Sequence, residues 1–313
     1  MNLKKLSVIA LITLGSAFAQ ESTGKENSST ESTGKVLSNK TKGDIDNEIT
    51  NARMRAASGS KSKFSGSLSA FYDGGSIEKP LSATRPNLSG DPEVPALSEG
   101  GGSLSLRYRV SKNHSFTFGA GFSFFQPFQS SDKYAQANEF QITNPSLGYS
   151  FIGKVLGFQT SSSVSFTYGT WDGWENITAQ GTNLDYSVGL SQTFTKAFEG
   201  TGFSAGLSFS VGLPKYSDSL EDNLNRYTLG IFPFAEYQIS DKFVARTVFG
   251  YFNFRNKRRR DKGHMVRAYE YQSVGIGWVA SRDVWIYPNI QFIPDNLDIK
   301  NTNVGVSATI NMF

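Results

Sequence analysis

The sequence predicts an all-β fold, a transmembrane antiparallel up-and-down β-barrel of about twelve strands. Over residues 202–213 every second residue is apolar, and only Ser and Gly stand between them, which is the period of a strand with one face toward lipid. The mean hydropathy is -0.33, which argues against a bundle of apolar helices. Short and long links also alternate between the strand-like segments along the chain, as in a closed barrel with two different rims.

The N-terminus has the pattern of a secretory signal peptide over residues 1–19. Lys4 and Lys5 precede an apolar run over residues 6–14, and residues 17–19 (Ala-Phe-Ala) form a small-residue cleavage site. The run is too short to cross a bilayer as a helix. The chain contains no cysteine, so disulfides and an acylated cysteine anchor are excluded. We therefore expect an exported protein that its own fold holds in a membrane.

An extension over residues 20–62 separates the signal peptide from the barrel. In its polar low-complexity part Glu-Ser-Thr-Gly-Lys occurs twice, at residues 21–25 and 31–35, and this part is expected to be disordered on the periplasmic side. Apolar residues at helical spacing then predict a short amphipathic helix over residues 44–57, and Gly59 follows as a stop signal. Either this is a marginally stable helix on the periplasmic side, or it is a plug inside or under the mouth of the barrel.

The barrel itself is predicted over residues 63–313, in twelve segments of alternating apolar and polar residues. Most segments have the roughly 10 residues that a tilted strand needs to cross a bilayer, and only a closed sheet satisfies every backbone group in lipid. Ten or fourteen strands are the alternatives. In order, the segments cover residues 64–73, 103–110, 115–126, 141–151, 158–170, 184–194, 202–213, 226–239, 243–254, 267–279, 284–293 and 302–313.

Taken together, these features resemble a Gram-negative outer-membrane β-barrel protein. The resemblance covers residues 1–19 and about 63–313, and it includes aromatic residues near strand ends, such as Tyr72 and Tyr168, and a terminal Phe313. It implies contact with outer-membrane lipid and lipopolysaccharide, and recognition of Phe313 by the barrel-assembly machinery. The last strand departs from the usual pattern, because its polar residues share the parity of Phe313. A bulge near the end, or a different preference of the assembly machinery, would reconcile the two.

The inner face of the predicted barrel divides into two walls. Small residues, mostly serine, line the first seven strands, whereas aromatic and charged residues share the inner face of strands eight, nine and eleven. In strand ten, Glu270 and Gln272 share parity with the apolar Val274 and Ile276, which requires a bulge or a misplaced group. The candidate lumen-facing residues are Asp73, Arg107, Arg109, Asp185, Arg226, Phe232, Glu236, Arg246, Phe252 and Trp285.

Such a lumen favours a channel or transporter for small solutes. Charges of both signs on the inner face would create a transverse field across a pore, or they would pair and rigidify a filled barrel. If Arg107 and Arg109 face a conducting pore, replacing both by Glu changes its ion selectivity.

A surface interaction protein with a closed lumen is the alternative function. Its basis is the basic cluster of Lys257, Arg258, Arg259 and Arg260 in one predicted outward loop. Arginines can bind lipopolysaccharide phosphates through paired hydrogen bonds, although a solvated basic loop is the simpler interpretation. A partner protein could also bind there.

Other function classes have little support in the composition. A formal net charge of +4 gives no electrostatic case for nucleic acid. A barrel hydrolase would have only His114 and His264 available, and each falls in a predicted turn or loop. Without cysteine or clustered histidines there is no transition-metal pattern. We therefore expect no enzyme activity, no cofactor and no metal.

Overall fold

The computed structural model describes residues 48–86, 88, 96–130, 139–169, 184–216, 225–257, 264–267 and 270–312. The predicted signal peptide, the repeated pentapeptide, Arg258, Arg259, Arg260 and Phe313 lie outside these residues. No helix in the described ranges is long and apolar enough to cross a membrane.

Twelve antiparallel strands form one closed sheet, which confirms the predicted fold class and strand number. Strands β11 and β12 below are two halves of one barrel strand, as are β13 and β14, while β2 and β3 pair only with each other. Pairing of β1 with β16 closes the barrel. The elements are α1 (Ala52–Ala57), β1 (Phe64–Ser76), β2 (Thr84–Arg85), β3 (Ala96–Leu97), β4 (Glu99–Arg109), β5 (His114–Phe125), β6 (Glu139–Val155), β7 (Phe158–Tyr168), β8 (Leu184–Ala197), β9 (Phe203–Tyr216), β10 (Asn225–Gln238), β11 (Phe243–Phe249), β12 (Phe252–Lys257), β13 (Val266–Arg267), β14 (Gln272–Ser281), β15 (Val284–Phe292), a 3-10 turn (Pro294–Asn296) and β16 (Asn303–Asn311).

The barrel has two rims that differ in the length of their links. One rim, here called the turn rim, holds the short links at residues 110–113, 156–157, 198–202, 239–242 and 282–283, together with the start of β1 and the end of β16. The opposite rim, here called the loop rim, holds the long links. Because the number of strands is even, both ends of the barrel segment lie at the same rim. The difference in link length distinguishes the two ends of the lumen.

Alternation along the strands separates an apolar outer face from the inner face. In β4, Leu104 and Leu106 are exposed on the outside, whereas Arg107 and Arg109, further along the strand and of the opposite parity, are half-buried inside. Residues that oppose each other on neighbouring strands share a face, so this division continues around the barrel. The serines of β9 accordingly oppose inner residues of β10, such as Ser204 opposite Glu236.

One predicted lumen residue, Phe252, lies on the wrong face. Phe234 opposes Val248 on the inner face, but three residues earlier in β10, Ile231 opposes Phe252. Four residues of one strand therefore match three of its partner, which places a bulge at residues 249–251. The prediction that Phe252 faces the lumen is wrong, because this bulge reverses the alternation and leaves the ring 43% exposed on the outside.

The conflict in the tenth predicted strand has a simple resolution. Val274 and Ile276 of β14 are exposed on the outer face. Glu270 lies before the strand begins and forms an ion pair with Arg267. Because Glu270 is not part of the strand, strand alternation does not assign it a face. Gln272 lies on the outer face with Val274 and Ile276, and its Nε2 donates to Thr247 Oγ1 at 3.1 Å.

Helix α1 is shorter than predicted. It covers Ala52–Ala57, whereas residues 48–51 are not helical and residues 44–47 lie outside the described ranges. The Asn51 side chain accepts a hydrogen bond from the Met54 backbone N–H at 3.0 Å, which is the geometry of a helix N-cap. The helix therefore begins at this asparagine and not at the acidic residues before it.

Candidate functional site: an occupied lumen

Residues 48–60 lie inside the barrel at its turn rim, and we call this segment the plug. Its apolar side chains are almost fully buried: Ile49 is 0%, Met54 2% and Ala56 1% exposed. Ile49 and Met54 pack on Ile152 of β6. Burial of one such side chain contributes about 1.5–3 kcal/mol of free energy. These apolar contacts therefore stabilise the plug in its position against the barrel wall.

Both ends of the plug lie at the turn rim. Glu48 forms an ion pair with Lys112 and accepts a hydrogen bond from Asn113 Nδ2 at 3.1 Å, both in the link between β4 and β5. At the other end, Arg282 in the link between β14 and β15 donates to the Gly59 carbonyl at 2.8 Å. The segment therefore leaves the rim, crosses the lumen and returns to the same rim.

Polar contacts hold the first half of the plug against the barrel wall. The Asn51 backbone N–H donates to Gln159 Oε1 at 2.8 Å, and Asn51 Nδ2 donates to Glu236 Oε2 at 2.5 Å. Gln159 Nε2 in turn donates to Thr50 Oγ1 at 2.7 Å. Asn51 thus caps the helix and anchors it to two strands, β7 and β10.

A charged cluster lies beneath this anchor. Glu236 is 4% exposed and forms an ion pair with Arg246, which is 8% exposed. The Arg246 guanidinium lies 4.6 Å from the centroid of the Phe234 ring, and Arg53 of the plug lies 5.7 Å from the same centroid. Repulsion from Arg246, together with burial, lowers the pKa of Arg53 to about 10, so the residue stays charged at neutral pH. One carboxylate therefore stabilises two guanidinium groups.

Helix α1 packs against the inner face of β10, β11 and β15, which we call the aromatic wall. Ala56 packs against Val244, Trp285 and Tyr287, and the two rings stack at 16° with centroids 6.4 Å apart. A methyl group fits this flat surface, and a larger side chain would have to displace a ring.

The last turn of the plug is surrounded by side-chain donors. The final carbonyl groups of a helix have no partner within the helix, and they form the negative end of its dipole. Here the carbonyl oxygens of residues 56–60 all accept side-chain hydrogen bonds, between 2.5 and 3.0 Å long. Asn311 donates to Ala56, Arg107 to Ala57, Arg109 to Ser58 and Ser60, and Arg282 to Gly59.

The small inward residues of β1, β4, β5 and β6, which we call the serine wall, border a cavity of about 320 Å³ beside the plug. At about 30 Å³ per molecule, this volume corresponds to roughly ten waters. Ala57 of the plug and Arg107 form part of its boundary. The remaining boundary consists of Ser67, Ser69, Ser103, Ser105, Thr117, Gly119, Ser146, Thr309 and Asn311.

A second segment turns inward at the loop rim. Arg85, in the small hairpin of β2 and β3, forms an ion pair with Asp73 at 2.8 Å and donates to Gln291 Oε1 at 3.2 Å. Asn303 Nδ2 donates to the Pro86 carbonyl at 3.1 Å. The link between β1 and β4 therefore narrows the lumen at this end.

The structure brings some predicted site residues together and separates others. Arg107 and Arg109 hold the plug, Glu236 pairs with Arg246, and Trp285 packs on Ala56. Phe232 lies on the inner face of β10, opposite Ser208 of β9. Asp185 and Arg226 lie apart, at the loop-rim ends of β8 and β10. Lys257 ends β12, and its predicted partners in the basic cluster lie outside the described residues, so lipopolysaccharide binding there stays a prediction.

The two histidines have different surroundings. His114 begins β5, and its Nδ1 lies 2.5 Å from the hydroxyl of Tyr149. His264 is exposed in the link between β12 and β13. His114 borders a small cavity at the turn rim together with Ser58 of the plug, and its side chain bonds to Tyr149. His264 lies at the loop rim, away from the plug.

Sequence reasoning missed Asn51, Arg85 and Arg282. An asparagine directly before residues at helical spacing is a recognisable N-cap, which could have identified Asn51. Arg85 and Arg282 lie in links, and nothing in their sequence neighbours indicates that they turn into the lumen.

A closed barrel of twelve strands, with an apolar outer face and a segment of the chain inside, has the fold of an outer-membrane β-barrel. No family model matches the sequence, and a search of curated proteins found no match. Among solved structures, an outer membrane channel from Pseudomonas putida F1 matches with a TM-score of 0.50 and 11% identity, over 81% of this chain and 97% of that chain. This likeness supports the fold alone.

Two further solved structures are more distant. The NanC porin has a TM-score of 0.44 and 6% identity, over 79% of this chain and 100% of that chain. The outer membrane phospholipase A from Escherichia coli has a TM-score of 0.37 and 12% identity, over 79% and 96%.

Proposed function

We propose that this protein is a channel for small solutes in a bacterial outer membrane, and that the plug closes it in the state described here. The cavity beside the plug carries this proposal. In a barrel that serves only as a scaffold, inward side chains fill the interior. Here the serine wall leaves space, and the turn rim is blocked by a segment that is not part of the wall.

The outer face supports the location in a membrane. Leu104, Leu106 and Phe118 are all more than half exposed on neighbouring strands, and such apolar surface around a whole barrel suits lipid and not water. In barrels of this class the short turns face the periplasm, which would place the plug at the periplasmic mouth.

The contacts of the plug suit a removable closure. The barrel closes through backbone pairing of β1 with β16, without help from the plug. The plug is held by three buried apolar side chains and by hydrogen bonds from barrel side chains to its last carbonyl groups, and these hydrogen bonds can be exchanged for water or solute one at a time. Its withdrawal would join the cavity to the turn rim.

Conductance in planar bilayers tests the proposal. Refolded residues 20–313 should conduct rarely, whereas a chain starting at Lys63 should conduct steadily, because the second chain lacks the plug. Heat-modifiable migration on gels serves as the control for a folded barrel in both. A folded but silent shorter chain would overturn the channel proposal and favour a barrel that acts through its loops.

A covalent lock provides a matched test in the full chain. Because the chain has no cysteine, the pair Ile49→Cys and Ile152→Cys introduces the only thiols, on side chains that pack together. A short reducible cross-linker should abolish the rare openings, and reduction should restore them. Either single substitution, treated alike, should show no such reversal.

A further inference from the structure

A polar pair of side chains lies on the outer face of β7 and β8. Ser162 opposes Gln192, which in turn opposes Phe209 of β9. Phe209 opposes Ile231, the outer-face residue of β10 that lies against Phe252. Residues opposed on neighbouring strands share a face, so Ser162 and Gln192 point away from the lumen and the plug.

Residues at the two ends of β8 show that this pair lies within the apolar belt. At the turn rim, Lys196 Nζ lies 5.8 Å from the centroid of the Phe158 ring, as a lysine does at a membrane surface. At the loop rim, Tyr186 stacks on Phe166 with centroids 5.8 Å apart, which is typical of an aromatic girdle. Gln192 lies between these ends, about 13 Å along the strand from Lys196 and about 20 Å from Tyr186. In a bilayer its side chain therefore lies among acyl chains.

The carboxamide of Gln192 is only partly satisfied. Its Oε1 accepts a hydrogen bond from Ser162 Oγ at 2.5 Å. Its Nε2 lies 3.5 Å from the Thr193 carbonyl oxygen and has no other partner among the described residues. An amide nitrogen has two N–H donors, and an amide oxygen can accept two hydrogen bonds. Ser162 therefore orients the amide, while at least one donor and one acceptor position remain for a partner.

Lipid cannot supply that partner. Hydrocarbon forms no hydrogen bonds, so an unsatisfied amide group costs free energy there. The neighbouring outward residues of β8 are Val188, Leu190 and Phe194, all apolar, and strand alternation would be served equally well by leucine at position 192. Polar side chains inside a membrane commonly hydrogen-bond to another protein segment. Glutamine at this position therefore indicates a protein contact within the membrane.

A second copy of this chain is the partner that the amide fits best. Two copies inserted in the same direction are related by a two-fold axis along the membrane normal, so each residue keeps its depth. A residue beside that axis meets its own copy, which requires a group that both donates and accepts. The carboxamide of Gln192 meets this requirement, because the Nε2 of each copy can donate to the Oε1 of the other.

The second polar pair on the outer face favours this two-fold contact over a ring of copies. In a ring, the surface around Gln192 would have to meet a different surface of the next copy. Gln272 and Thr247 form the other such pair among the described residues, and their side chains bond each other at 3.1 Å. The Tyr251 hydroxyl also lies 3.5 Å from Gln272 Oε1. This pair is satisfied within one copy, so it complements Gln192 less well than a second Gln192 does.

We propose that the outer face of β7 and β8 around Gln192 is the contact surface of a two-fold dimer of this chain in the membrane. Reciprocal hydrogen bonds between the two Gln192 side chains hold the contact, and Ser162 positions both amides. Val164 and Leu190, which oppose each other on the same face, pack beside them. The contact lies outside the barrel, so the lumen and the plug of each copy stay accessible.

Cross-linking of single cysteines in vesicles tests the dimer. Because the chain has no cysteine, Leu190→Cys introduces one thiol beside Gln192 on the outer face. Val306→Cys introduces one on the outer face of β16, which lies six strands away on the opposite side of the barrel. The full chain is folded into phosphatidylcholine vesicles at low protein-to-lipid ratios and treated with a short bifunctional maleimide. Leu190→Cys should form covalent dimers at ratios where Val306→Cys does not.

Matched glutamine substitutions in the Leu190→Cys chain identify the contact. Gln192→Leu should raise the protein-to-lipid ratio for half-maximal cross-linking by about tenfold, because both reciprocal hydrogen bonds are lost. Gln272→Leu removes the same amide from the outer face of β14 and should leave cross-linking unchanged. Ser162→Ala should give an intermediate ratio, because the Gln192 amide is then free to turn. Heat-modifiable migration on gels shows whether each barrel is folded.

Three outcomes would overturn this proposal. Equal cross-linking of Leu190→Cys and Val306→Cys would mean that the copies only collide at random. A folded Leu190→Cys chain without dimers would mean that lipid, or a different surface of the next copy, covers this face. Unchanged cross-linking in Gln192→Leu would mean that the amide has no role in the contact. Conduction is not measured here, so failure of the channel proposal is distinguishable from failure of the dimer.

Discussion

The aromatic wall and the serine wall of this barrel are built from the same kind of antiparallel strands, yet the aromatic wall packs against the plug and the serine wall borders a cavity. Strands β10, β11 and β15 present rings and an ion pair to the plug, including Glu236, Arg246 and Trp285. Strands β1, β4 and β5 present Ser69, Ser105 and other small residues to open space. The size of the inward side chain therefore decides where the lumen is filled. Substitutions on the two walls should accordingly have unequal effects.

Removal of Glu236 should have the largest effect. Glu236→Ala leaves Arg246 and Arg53 buried without their shared carboxylate, and the Asn51 side chain loses an acceptor. Breaking a buried pair in this way costs about 3–5 kcal/mol. Urea unfolding of the detergent-folded protein, followed by gel migration, measures the loss.

Asp73→Ala is the matched control for Glu236→Ala. Asp73 also pairs with an arginine, Arg85, but its side chain is 37% exposed at the loop rim. A pair with one partner near the surface contributes about 0–1 kcal/mol, and Arg85, although only 13% exposed, keeps its bond to Gln291 Oε1. This variant should therefore lose much less stability than Glu236→Ala does. Equal losses in both variants would mean that the burial of the Glu236 cluster has no energetic importance.

Two adjacent alanines test the aromatic wall more finely. Ala56→Leu forces extra methyl groups between the helix and the rings of Trp285 and Tyr287, at a cost of about 1–3 kcal/mol. Release of the plug avoids this cost, so trypsin cleavage after Arg53 should become faster. Ala57→Leu places the same side chain at the boundary of the cavity and should leave cleavage nearly unchanged. Equal acceleration in both variants would contradict the assigned seat of the helix.

The N-cap of the plug should have a smaller effect. Asn51→Ala removes the bond to the Met54 N–H and the bond to Glu236, and loss of a cap costs about 0.5–2 kcal/mol. Faster cleavage after Arg53 is expected. Asn51→Asp keeps the cap but places a carboxylate against Glu236, so it should release the plug as readily as Asn51→Ala does. If Asn51→Asp instead resembles the unsubstituted protein, the bond to Glu236 has no role.

Most of the barrel could be predicted from the sequence because strand alternation is a local signal. Phe203 and Ser204 point to opposite faces of the sheet whatever surrounds them. The strands begin and end close to where this alternating pattern begins and ends in the sequence. Phe252 is the exception. Residues alternate regularly on each side of the bulge at residues 249–251, but the extra residue exchanges the inward and outward positions between the two sides. A shift of one residue has no compositional signature, so sequence alone could not assign this face.

The plug was harder to predict because its contacts join distant parts of the chain. The helical spacing before Gly59 indicated a helix, but whether it enters the lumen depends on Asn51 meeting Gln159 and Glu236, which lie more than 100 residues away. Arg107 and Arg109 were predicted on the inner face as residues of a pore field. Their partners are instead peptide carbonyls of the plug, which no charge pattern reveals.

The smallest effect is expected on the serine wall. Ser105 Oγ lies 3.5 Å from the Ser67 carbonyl, a long contact, and its side chain borders the cavity. Ser105→Ala should therefore change the free energy of unfolding by less than about 0.5 kcal/mol and leave trypsin cleavage unchanged. Ser105→Phe keeps the barrel intact but fills part of the cavity, so it should lower the conductance of the chain that starts at Lys63. Unchanged conductance in Ser105→Phe would mean that ions pass elsewhere, and that the space beside the serine wall is not the solute route.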